Sequence, residues 1–268
     1  MKKIIISLLA LALILGCAEK KEASVVTTAV VKPAAAKAAD EGYSLQFAEG
    51  FDSGMNFVDD FGISIVLVVD VSGSMSDSPK SGGEAKYIQA ANALVTVSDY
   101  LEKLAGKQKD LRVNVAVLRF STGVATVLPM TELRGDGIKR LKSVCLPENF
   151  LPKGGTAIGL ALEKGSELLA QSGTIFNSLI IITDGENNGS PDPLKVIDAI
   201  YSNRNNKSTE EMKIRTSTQL MSFIGFDVAS PQFGVFHNMG ARITSAGDQA
   251  ELENGLKSLL EADITKLE

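Results

Sequence analysis

Two hydrophobic patterns alternate along this chain, and their order predicts its architecture. Ile63 to Val69 is an almost unbroken run of β-branched residues and Leu, and Leu179-Ile180-Ile181-Ile182 repeats it. Such runs are expected of parallel strands covered on both faces. Between them Val113, Val115 and Val117 alternate with other residues, and Phe120-Ser121-Thr122-Gly123 reads as a hairpin turn into a second short strand, Val124 to Leu128. Later strands are predicted over Leu220 to Phe226 and Ala241 to Thr244. Helical spacing carries Ile88, Ala91, Leu94, Val95, Leu101 and Leu104 along one face, and Ala157 to Ala170 and Leu194 to Tyr201 behave likewise. Asp248 followed by Glu251 resembles a capping box, opening a last helix that carries Leu252, Leu256, Leu259 and Leu260. The alternation implies an α/β fold: a Rossmann-like, doubly wound, mostly parallel sheet with helices on both faces.

The N-terminus follows another rule. Lys2 and Lys3 precede the apolar run Ile4 to Leu15, then Gly16 and Cys17, which is the layout of an export signal too short to span a bilayer. Ile14-Leu15-Gly16-Cys17 resembles a bacterial lipobox, and the resemblance implies cleavage before Cys17 and a lipid on its thiol; an ordinary cleaved signal with a coincidental cysteine is the alternative. From Ala18 to about Asp40 there is no aromatic residue and little to bury, as expected of a flexible tether. Tyr43 to Phe57 is richer and reads as a short extension packing on the domain. The expected division is a signal peptide over 1–16, lipidated Cys17 with tether and extension over 17–57, and one folded domain over 58–268. The absence of Asp after Cys17 mildly favours the outer-membrane side of a cell envelope.

Composition narrows the function. With 44% apolar residues in 268, the chain can build one sizeable core, and a net charge of -5 argues against nucleic acid as partner. A monomer is expected. With Cys17 lipidated, Cys145 has no disulfide partner and is expected to be a small, partly buried hydrophobe. As a reactive thiol it would need a base, and His237, the only histidine, is expected in a loop or on the surface.

In a doubly wound sheet, ligands bind beyond the carboxyl ends of the strands. Asp70-Val71-Ser72-Gly73-Ser74-Met75 follows the first strand, Thr183-Asp184-Gly185 the run at Leu179 to Ile182, and Lys153-Gly154-Gly155-Thr156 precedes a helix. Asp70, Ser72, Ser74, Thr156 and Asp184 are all oxygen donors, which suit Mg²⁺, Mn²⁺ or Ca²⁺ and disfavour zinc. Singly, each has a plainer reading: Asp70 as a turn acid, Ser72 and Ser74 as helix caps, Thr156 as an N-cap, Asp184 as an Asx-turn residue.

Asp70, Ser72 and Ser74 match the Asp-x-Ser-x-Ser signature of von Willebrand factor A domains, and the chain resembles that family at Thr156 and Asp184 as well. The resemblance implies a metal-ion-dependent adhesion site. In it Ser72 and Ser74 touch the ion, Thr156 does so directly or through water, and Asp70 and Asp184 act largely through waters. It further implies a protein partner that offers an Asp or Glu carboxylate to the metal, with Met75 to Glu84, Glu186 to Asp192 and Ser202 to Arg215 as a rim. No terminal disulfide is present, unlike in better-known extracellular members. Two other readings compete. A metal-assisted phosphatase would use Asp70 as nucleophile, but Ser72 stands where haloacid-dehalogenase-like enzymes place a second Asp, and no Lys or Arg lies within the three family motifs, Asp70 to Ser74, Gly154 to Gly159 and Thr183 to Gly185. A serine hydrolase lacks the Gly-x-Ser-x-Gly elbow. The last reading is a scaffold that binds no ion.

Overall fold

The computed structural model describes residues 61–107, 110–202, 219–228 and 233–264. The signal, Cys17, the tether, the N-terminal extension and nearly all of the Ser202 to Arg215 rim lie outside them. Six strands form one sheet: β1 (Gly62–Asp70), β2 (Arg112–Phe120), β3 (Val124–Glu132), β4 (Phe176–Thr183), β5 (Gln219–Phe226) and β6 (Arg242–Ala246). Their order is β3-β2-β1-β4-β5-β6. All neighbours run parallel except β2 and β3, which pair antiparallel through the predicted hairpin. β1 is buried along its whole length because it is central and covered on both faces, which is why its sequence does not alternate.

Helices divide between the faces. On one, α1 (Lys86–Lys107), α2 (Asp136–Val144) and α6 (Gln249–Ile264) pack over Ile63, Ile65, Leu67, Val69, Ile180 and Ile224. On the other, α3 (Ile158–Ala170), α4 (Pro193–Ser202) and the single turn α5 (Gly234–Asn238) cover Val66, Val68, Leu179, Ile181 and Phe223. Burial of each such side chain contributes about 1.5–3 kcal/mol, so these two layers dominate stability. The expected doubly wound α/β fold is therefore present.

Several local expectations shift. The inner face of α1 is set by Ala90, Ala93, Leu94, Val97 and Leu101, while Val95 is exposed and Ile88 and Leu104 are only partly covered. β3 continues past Leu128 to Glu132 through Pro129, which an edge strand tolerates because one side makes no ladder bonds. Met75 is fully buried and belongs to the core rather than a rim. Cys145 is likewise fully buried, its thiol donating to the Leu141 carbonyl at 3.2 Å, and burial pushes its pKa up to about 12. It packs in the α1/α6 layer, whereas His237 is exposed on α5 across the sheet, so no thiol-imidazole pair forms. Asp248 accepts from the Glu251 N–H at 2.8 Å and Glu251 accepts from the Gly247 N–H at 2.7 Å, the predicted cap displaced by one residue on its return bond.

Candidate functional site

β1 and β4 are adjacent strands whose connections leave to opposite sides of the sheet, which makes their carboxyl ends the switch point of the fold. Register sets Val69 opposite Ile182, so Asp70 stands level with Thr183. The Thr183 hydroxyl donates to Asp70 Oδ2 at 2.6 Å, and the Ser72 N–H donates to Oδ1 at 2.7 Å. Asp70 is thus also the turn acid of the plainer reading. It is fully buried, and that burial raises its carboxyl pKa from 3.8 to about 6, against the lowering effect of hydrogen bonding from Thr183 and from the backbone and side chain of Ser72, and with a smaller push from the Asp184 charge.

The chain then turns through a short 3₁₀ segment, Gly73–Ser76, in which neither serine caps the helix by its side chain. Instead the Ser72 and Ser74 hydroxyls meet at 3.1 Å and Ser74 Oγ donates to Asp184 Oδ1 at 2.8 Å. Hydroxyls from the β1 loop and a carboxylate from the β4 loop therefore form one contiguous set. Ser72 is buried and Ser74 is exposed, so the set opens to solvent on one side.

Thr156 comes from a third loop tied to both others. Gly154 adopts φ +79°, which favours glycine, and its carbonyl accepts from the Gly73 N–H at 3.0 Å. The next glycine lies so close to Asn188 that an added Cβ would stand 2.6 Å from Oδ1. Asn188 Oδ1 accepts from the Thr156 N–H at 2.7 Å, and the Asn188 N–H donates to the Thr156 carbonyl at 2.9 Å. Asn187 Oδ1 accepts from the Ile158 N–H at 2.9 Å and so caps α3. Thr156 is not the cap. Its hydroxyl stands beside Gly185 and makes no hydrogen bond among the described residues.

Lys86, the first residue of α1, completes the arrangement. Its ammonium lies 2.6 Å from Asp184 Oδ2, with both side chains buried. This short, buried ion pair engages Oδ2 directly. No cation lies within the motifs themselves, but α1 delivers one to them. Asn187 and Asn188, just after the third motif, hold the second with their side chains, which nothing in the sequence showed; for Lys86 no local signal exists either.

The donors are oxygens throughout, and among the described residues no cluster of three or more His, Cys, Asp or Glu side chains occurs. A hard ion here would depend on hydroxyls. The uncommitted Thr156 hydroxyl, the Ser74 hydroxyl on the solvent side, the Asp184 carboxylate and the burial-strained Asp70 carboxyl all fit such an ion.

Residues 65–186 match the family model of the von Willebrand factor type A domain. No curated protein matches the chain. Among solved structures, a von Willebrand factor type A protein from Catenulispora acidiphila is 18% identical with TM-score 0.56, over 76% of this chain and 43% of that one. The PilB minor pilin from Streptococcus sanguinis is 17% identical with TM-score 0.57, over 78% and 63%. The vWF domain of the type V pili tip protein Mfa5 from Porphyromonas gingivalis is 12% identical with TM-score 0.54, over 78% and 97%. At these identities the likeness is one of fold, and the chain spans less than two thirds of the length of the first two.

Proposed function

We propose that this domain, whose residues 65–186 match the von Willebrand factor type A model, is a binding module whose divalent ion holds an acidic side chain of a protein partner. Mg²⁺ is the expected ion, with Mn²⁺ or Ca²⁺ as alternatives. The observation that carries this reading is the run of contacts from Ser72 Oγ to Ser74 Oγ to Asp184 Oδ1, which joins two adjacent strand ends in one partly open set of oxygens. Ser72, Ser74 and Thr156 would offer hydroxyls to the ion and Asp184 its charge. Asp70 has both oxygens engaged, so it holds the Ser72 backbone and supplies a second negative charge from behind. A bound ion supplies a positive centre with an exchangeable position for a carboxylate.

The pilus proteins among the structural neighbours fit an adhesive role, and an extracytoplasmic location through lipid on Cys17 belongs to the same proposal. Among the described residues no helix is long and apolar enough to cross a membrane. Thermal melting of the protein in chelator and in millimolar Mg²⁺, Mn²⁺ or Ca²⁺ tests the reading. A ligand specific to the native state raises stability by about 2.7 kcal/mol at a hundred times its Kd, so a rise lost in Asp70→Ala and Ser72→Ala is expected, and no rise with any ion overturns it.

One observation favours the scaffold reading: the Lys86 ammonium already neutralises Asp184 without an ion. An enzyme is less well supported. Lys86 could contact a phosphate, but Asp70, fully buried with both oxygens bonded, is poorly presented as a nucleophile.

A further inference from the structure

We propose that Lys86 is an internal counter-cation of the site, pairing with Asp184 in the metal-free protein and thereby setting how tightly a divalent ion binds. This rests on the metal-binding reading above. Lys86 Nζ is 2.6 Å from Asp184 Oδ2, its side chain is 9% exposed and that of Asp184 is fully buried. Nothing in the helix calls for a lysine there. As the first residue of α1 it faces the positive end of the helix dipole, where an acidic or neutral residue is favoured. Burying an ammonium is costly unless a carboxylate answers it. The backbone nevertheless fixes it in place, because the Lys86 N–H donates to the Asp77 carbonyl at 3.0 Å, at the exit of the same 3₁₀ turn that presents Ser72 and Ser74.

Charge then decides the consequence. Asp70 and Asp184 against Lys86 leave the bare site with one net negative charge rather than two. An entering divalent ion is drawn to a carboxylate already shared with an ammonium, and in a partly buried setting like charges a few ångströms apart repel strongly. Affinity is lowered, and the metal-free domain keeps a folded, paired site. Once loaded, the site carries one net positive charge instead of none, which favours an anionic group from the partner. Lys86 is thus a positioning and specificity-determining residue that touches a candidate ligand residue rather than the ion.

Calorimetric titration of the full chain with Mg²⁺ and Mn²⁺, for wild type, Lys86→Gln and Lys86→Arg, tests this, with melting in chelator alongside. Removing the charge is expected to tighten ion binding at least about ten-fold while lowering the chelated melting temperature, and Lys86→Arg is expected to stay within about three-fold of wild type, since a charge change at this distance is worth a factor of ten or more. Lys86→Met, which keeps the apolar stem, replaces the Gln variant if that fails to fold. Equal affinities of wild type and the uncharged variant overturn the role of Lys86 and leave the metal site standing. No binding by either overturns both.

Discussion

Both ends of this sheet carry buried polar side chains with an ion pair among them, but at the carboxyl end the set opens to solvent through an exposed residue, Ser74. At the amino ends of the strands, Ser64 accepts from Asn114 at 3.2 Å and from Thr174 at 2.7 Å, and Asp263 is held by Ser178 at 2.6 Å and by Arg242 at 2.5 Å. In that layer side chains of β1, β2, β4, β6 and α6 meet one another, and Arg242 with Asp263 forms an ion pair as Lys86 with Asp184 does at the other edge. At the carboxyl ends, a hydroxyl is uncommitted at Thr156, an oxygen of Asp184 is paired with the Lys86 ammonium, and burial holds Asp70 near a pKa of about 6. Polar burial at the amino edge ties the strands to the last helix, and at the carboxyl edge it lines a set of oxygens that reaches solvent, which is what a ligand site requires.

Substitutions should separate the two edges. The largest effect is expected from Asp263→Ala, which strands Arg242 and Ser178. Denaturant unfolding should show a loss of about 3–5 kcal/mol with no change in ion affinity, and a changed affinity would show that the edges are coupled. Next is a pH effect confined to the carboxyl edge. The native state keeps the Asp70 proton to higher pH than the unfolded chain does, so in chelator its contribution is present below pH 3.8 and lost as pH rises through about 6. A shift of two units corresponds to about 3 kcal/mol. The difference in stability between wild type and Asp70→Asn should therefore change across that window, and saturating Mg²⁺ should remove the change; a pH-independent difference would contradict the strain assigned to Asp70. Smaller again is Ser64→Ala, which takes the acceptor from the Asn114 amide while Thr174 keeps the Phe176 carbonyl, and should cost about 1–3 kcal/mol with ion affinity intact. The smallest effect sits off both edges. The Cys145 thiol, pushed up to about 12 and buried, should resist a thiol reagent in the folded protein and react once denaturant is added. Fast labelling of the native state would show that the α2 region opens.

What the sequence made legible follows the same division. β1 and β4 were readable because burial on both faces forces continuous apolar runs, and the five candidate donors because they lie at strand ends within short motifs. α2 was not foreseen: in nine residues it offers only Ile138, Leu141 and Val144 as apolar positions, and α5 is a single turn. Val95 was misassigned because helical spacing alone admits two neighbouring faces, and packing against β1 and α6 selects the one through Ala93 and Val97. At the site, Asn187 and Asn188 fell within the expected rim beside the third motif, but nothing in the sequence showed that they hold the second. Lys86 reaches the motifs by tertiary placement, and no pattern in its own stretch of chain records where its side chain ends up.

The most direct test of the central claim is a Mn²⁺ titration followed by electron paramagnetic resonance, in which free ion gives a signal that is lost on binding. The account predicts about one bound ion per chain for the wild type, displaced by excess Mg²⁺, and none for Ser72→Ala or Ser74→Ala although both remain folded. A wild-type protein that leaves the free Mn²⁺ signal unchanged, or serine variants that bind as well as it does, would contradict it.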